Sequence, residues 1–168
     1  MISLFLRFAV KCLWVTVAYC SLLTYASAEL QKIDKLKAAY MFNFTKFISW
    51  GDTNNGPIHF CVHRSPELES FLVALITSRE KDKSTVVVSD TNESNTCDII
   101  YLTDGEGLSN EHFHNSVLVT SNDVMLEVSP VIRFFVEEQK LRFEIDLEKA
   151  QELNVKISSK LIQVARVK

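Results

Sequence analysis

Asp98-Ile99-Ile100-Tyr101-Leu102, a mostly polar interval through Ser116, and then Val117-Leu118-Val119-Thr120 form the stretch that decides the fold. Short apolar runs, rich in β-branched residues and without helical period, read as strands buried on both faces. Glu106 to His114 in the interval is a short helix candidate. A strand, helix, strand series of this length implies right-handed crossovers onto a mostly parallel sheet. Ile58 to Val62 and Thr85 to Ser89 add two further strands of the same kind.

On the N-terminal side, Ile33, Leu36, Ala39, Tyr40, Phe44, Phe47 and Ile48 recur at helical spacing, which predicts one amphipathic helix from Leu30 to Trp50. Gly51-Asp52 stops it. Ser65-Pro66 supplies a cap and an N1 proline for a second helix, Glu67 to Thr77. On the C-terminal side, Val131 to Val136 and Lys140 to Leu147 read as strands split by Glu137-Glu138-Gln139, a hairpin. The second strand alternates, with Leu141, Phe143, Ile145 and Leu147 on one face and Arg142, Glu144 and Asp146 on the other. Glu148 to Leu153 reads as a helical turn or two, and Ser158 caps a final helix through Val167. The expected class is α/β: a mostly parallel sheet flanked by helices, with a C-terminal antiparallel hairpin.

Residues 1–28 carry no Asp or Glu, only Arg7 and Lys11 as charges, and an apolar run from Cys12 to Tyr25 ending in Ala26-Ser27-Ala28. That layout is a cleavable secretory signal. The run falls short of the roughly 20 residues that span a bilayer. Tyr19 before Cys20 is too large for lipid attachment, so the expected product is a soluble chain, residues 29–168, forming one domain. Losing Arg7 and Lys11 takes Lys+Arg from 18 to 16 against 21 Asp+Glu, a formal charge of −5. Phosphate binding needs clustered cations, so nucleic acid is not an expected partner.

Cys12 and Cys20 leave with the signal, and Cys61 and Cys97 remain. In an oxidising compartment two cysteines are read first as a disulfide; two buried thiols that never meet are the alternative. Asp104-Gly105-Glu106-Gly107 follows a strand, as a nucleotide loop would. Asn110 stands where the third glycine belongs, however, and Asp104 and Glu106 would repel a pyrophosphate. His112 with His114, and His59 with His63, lack the third and fourth groups that a metal needs. No Gly-x-Ser-x-Gly elbow is present. No catalytic set, cofactor or metal is therefore expected. Asn43 and Asn92 head formal glycosylation triplets that read as chance matches. Tyr40, Phe42, Phe44, Phe47 and Trp50 give the first helix an aromatic face. Its main reading is a helix wedged in the core; its sharper one leaves part exposed, with Phe44 and Trp50 as partner anchors.

The chain resembles the YfiR family of periplasmic repressors over nearly all of residues 29–168. The resemblance rests on Leu36-Lys37-Ala38-Ala39-Tyr40-Met41-Phe42-Asn43-Phe44-Thr45-Lys46-Phe47-Ile48-Ser49-Trp50, on Cys61-Val62, on Cys97-Asp98-Ile99-Ile100-Tyr101-Leu102, on Leu141 to Leu147, and on Lys156 to Ile162. It implies a Rossmann-like sandwich without enzymatic activity that binds the periplasmic region of an inner-membrane diguanylate cyclase and represses it. An outer-membrane lipoprotein then withdraws the repressor, and cyclic di-GMP and biofilm formation rise. Cys61 and Cys97 match a family disulfide. Ser129-Pro130 replaces a frequent Gly-Gly, and no cysteines remain for the second disulfide of the repressor that gives the family its name. Partner contacts are expected on Arg142, Glu144 and Asp146, with Phe44 and Trp50 of the first helix second. The partner is a membrane diguanylate cyclase or sensor kinase, and a second copy of the chain is a further candidate. A periplasmic small-ligand module reporting to a sensor kinase or transporter is the alternative.

Overall fold

The computed structural model describes residues 30–50, 57–79, 97–103, 116–121 and 129–168, and the backbone of 85–88. Two compact units divide the chain, Met1–Ile33 and Asp34–Lys168. In the second, strands β2 (Ile58–His63), β3 (Thr85–Val88), β4 (Ile99–Leu102), β5 (Val117–Ser121), β6 (Ile132–Glu137), β7 (Lys140–Ile145) and β9 (Arg166–Val167) form a sheet in the order β3-β2-β4-β5-β6-β7-β9. From β3 to β6 every pairing is parallel, and β6 with β7 is the antiparallel hairpin. The α/β class with a mostly parallel sheet and a C-terminal hairpin is thus the observed one. The candidate helix Glu106 to His114, the Asp104 to Gly107 loop, His112, His114 and Asn92 lie outside the described residues.

Helices α1 (residues 30–44) and α2 (Pro66–Arg79) supply the apolar stripes that pack on one sheet face. Ala38, Met41, Phe42 and Phe44 from α1, and Leu68, Leu72 and Ile76 from α2, join Phe60, Val62, Ile99, Tyr101, Val119, Phe134 and Phe143 in the larger core cluster. Pro66 opens α2 as predicted, and Glu69 N–H donates to Ser65 O at 3.0 Å. The opposite sheet face holds a smaller cluster of Cys61, Cys97, Ile100, Leu102 and Leu118. Cys61 and Cys97 are bonded there, with Cα atoms 5.9 Å apart across a sequence separation of 36. On the chain-entropy argument a loop of that size contributes about 3 to 4 kcal/mol.

Two predicted helices are shorter than expected. The first ends at residue 44, because Lys46 and Phe47 N–H groups turn back to the Asn43 and Phe44 carbonyls and Thr45 Oγ1 donates to Phe42 O at 2.7 Å. Ile48–Trp50 is instead strand β1, antiparallel to β8 (Val155–Ile157), with Ile48 opposite Ile157. Ile48 and Trp50 flank Ser49, so they satisfy a period of two as well as one of 3.6, and the tertiary partner decides. The last helix, α4 (Ser159–Ile162), is capped by Ser158 as predicted, its Oγ accepting from Lys160 N–H at 3.3 Å. It does not run to Val167. Arg166–Val167 is β9, parallel to β7 at the sheet edge.

The hairpin loop is also tighter than the sequence implied. Glu137 stays in β6 opposite Lys140, and Glu138 and Gln139 alone turn the chain, with φ of 50° and 61°. Two successive positive φ values make the mirror-image turn that suits the right-handed twist of a hairpin and usually takes Asn-Gly. A side chain in this left-handed region costs about 1 to 2 kcal/mol per residue.

Candidate functional site

The β6-β7 register sets a charged face. Arg133 stands opposite Glu144, Phe135 opposite Arg142, and Glu137 opposite Lys140, while β9 brings Arg166 beside Glu144. Arg133 Nε–H donates to Glu144 Oε1 at 2.8 Å. Glu137 is gripped from two strands: Arg142 Nε lies 3.1 Å from Oε2, and Arg166 Nη2 lies 2.6 Å from Oε1. The Arg166 guanidinium also sits 4.3 Å above the centre of the Phe135 ring, roofing an otherwise apolar spot.

The side chains of Arg142, Arg166 and Glu137 are 48%, 52% and 42% exposed, so water screens their pairing. Pairs of this kind contribute about 0 to 1 kcal/mol each. Their larger effect is geometric, since alternating charges are held in fixed places on a rigid strand pair. Such a pattern suits recognition of a complementary protein surface more than catalysis.

Asp146 has a different part. Its Oδ1 accepts the Lys149 N–H at 3.0 Å and caps α3 (Leu147–Glu152), and Lys168 Nζ lies 3.4 Å from Oδ2. The Lys149 N–H bond, helped by Lys168 and opposed by partial burial, holds its carboxyl below the ordinary aspartate value. Arg142 and Glu144 therefore lie on the charged face as predicted, whereas Asp146 is committed at its margin to a helix start.

The expectation of a partner contact at Phe44 needs correction. Its exposure is 0%, and its ring lies 6.0 Å from Phe134 and 5.4 Å from Phe143, with Tyr40 packed beside them. The sheet face below α1 is apolar, and the ring is drawn into it. Trp50 is half-buried against the same core, with its indole Nε1 buried and lacking a hydrogen-bond partner among the described residues. Arg133, Phe135, Glu137 and Arg166 were missed by the sequence reading. The first three could have been found by assuming a two-residue hairpin loop, which fixes all the cross-strand pairs.

Two other places bear on a small ligand. A groove of about 250 Å³ runs between α3 and β8, lined by Leu147, Ala150, Asn154, Val155 and Ile157. It is smaller than the roughly 300 to 1,000 Å³ of usual ligand sites. At the carboxyl ends of β4 and β5, Tyr101 Oη lies 3.1 Å from Lys37 Nζ and 2.7 Å from Ser121 Oγ, and Lys37 also meets Asp34 at 3.5 Å. These polar groups answer one another. His59, which pairs with His63 in the sequence, donates its backbone N–H to Asp98 Oδ2 at 2.8 Å. Among the described residues no three His, Cys, Asp or Glu side chains converge as a metal site.

With the disulfide, the parallel sheet and the hairpin face in place, the family comparison decides the kinship: the YfiR/HmsC-like family matches residues 34–166. The chain belongs to this family. None of the curated proteins matches it. Among solved structures, the ABC domain in complex with L-Trp from Streptococcus pneumonia is similar at 15% identity and a TM-score of 0.44. That likeness covers 69% of this chain and 56% of that one, so the chain spans about half the length of that protein. Among the described residues no helix of this YfiR/HmsC-like protein is long and apolar enough to cross a membrane.

Proposed function

We propose that this chain is a non-catalytic periplasmic regulator that binds an inner-membrane diguanylate cyclase and represses it, keeping cyclic di-GMP low. The observation that carries the reading is membership of the YfiR/HmsC-like family across residues 34–166. Residues 1–28, with the layout of an export signal, agree with it. A regulator confined to the periplasm reaches a cytoplasmic activity only through contact with a membrane-spanning partner. We assign that contact to the charged face of β6, β7 and β9, where Arg142 and Glu144 stand within the paired network. An outer-membrane lipoprotein that competes for the regulator would relieve the repression.

The test is capture of membrane proteins by the tagged full chain. Wild type is expected to recover a diguanylate cyclase, and the double variant R142A/E144A to recover about tenfold less, as when a paired interfacial charge is truncated. Equal recovery by the variant would reduce the hairpin face to a structural feature. Recovery of no cyclase or sensor kinase would remove the reading itself.

A further inference from the structure

The turn of the β6-β7 hairpin demands a backbone that its two residues do not favour. Glu138 and Gln139 have φ of 50° and 61°, both in the left-handed region, and neither is the Asn or Gly that relieves it. Two other residues with positive φ have local reasons. Asn154, at 54°, ends α3 with its N–H on Gln151 O at 2.9 Å, and asparagine tolerates that region. Arg64, at 53°, gives its carbonyl to Thr103 Oγ1. Glu138 and Gln139 are exposed and, among the described residues, make no side-chain hydrogen bond or ion pair. Backbone strain of this kind clusters at ligand-contacting and switch sites.

We infer that the Glu138-Gln139 tip is a docking finger that inserts its carboxylate and amide into a basic, polar patch on the partner protein. The inference rests on the regulator reading and names the element that makes first contact. Six paired positions from Ile132 to Glu137 hold the finger rigid, so little ordering is left for binding to oppose. Charge fits as well. Glu137 is neutralised by Arg142 and Arg166, which leaves Glu138, among the described residues, as the unpaired carboxylate at the tip, on a chain whose formal charge is −5 once residues 1–28 are removed. Such a chain is attracted to a lysine- or arginine-rich protein patch and repelled by an anionic lipid surface.

The test compares the full chain with E138N/Q139G, which installs the preferred turn residues, and with E138Q, which removes only the charge. The probe is the purified periplasmic region of the cyclase that the wild-type chain captures from membranes. The double variant is expected to melt about 3 °C or more higher, because the strain is gone, and to bind about tenfold more weakly. E138Q is expected to melt as wild type does and to bind with a shallower dependence on salt. Wild-type affinity in both variants overturns the docking finger and leaves the regulator reading standing. If the wild-type chain captures no cyclase, both fall together.

Discussion

Replacing Phe44 with alanine separates a core residue from a contact residue. The ring is fully buried and lies within 6.4 Å of three others, those of Tyr40, Phe134 and Phe143. Emptying such a site costs about 3 to 5 kcal/mol, from lost transfer energy and the cavity left behind. At about 2 to 4 °C per kcal/mol for a chain of this size, F44A is expected to melt about 6 to 20 °C lower. Leucine fills much of the space but loses the ring-on-ring geometry, and F44L is expected to cost about 1 to 2 kcal/mol. Urea titration followed by tryptophan fluorescence gives both values, with an unchanged slope marking a true stability effect. Folded F44L is then expected to capture its membrane partner as wild type does. The reasoning fails if F44A lies within about 1 kcal/mol of wild type. It fails equally if F44L keeps its stability and loses the partner.

Two further outcomes follow from the bonds described. The variant C61A/C97A, or wild type in dithiothreitol, is expected to lose about 3 to 4 kcal/mol in urea titration; a midpoint indifferent to reductant would contradict the bridge. D146A removes the α3 cap and is expected to cost about 1 kcal/mol at neutral pH. Because the folded carboxyl titrates below its ordinary value, its contribution is complete above about pH 4 and fades as pH falls through the folded pKa. The gap between D146A and wild type is therefore expected to narrow in acid, and a gap that widens there would reverse the sign of the argument.

Those parts of the fold that announce themselves locally were legible in the sequence. Ile99 to Leu102 and Val117 to Thr120 are buried runs, and Leu141, Phe143 and Ile145 alternate against Arg142 and Glu144, so strands were recognisable without knowing their partners. The caps at Ser158 and Pro66 were legible for the same reason. Strands β1, β8 and β9 were not, being two or three residues long and held only by pairing with distant segments. Ile48 and Trp50 even continue the helical pattern of α1. Half of the charged face was visible as an alternating strand. The rest, with Arg166 reaching Glu137 across 29 positions of sequence, exists only through tertiary register. The core reading of the aromatic stripe holds for Phe44 and its reading as a partner anchor does not, because such a stripe has the same spacing whether it faces protein or solvent.

The central claim is repression of a diguanylate cyclase, and cyclic di-GMP measured in the deletion strain and after complementation tests it most directly. A rise on deletion, reversed by the wild-type gene and reversed less by one carrying R142A/E144A, is the predicted result. An unchanged level on deletion would contradict it.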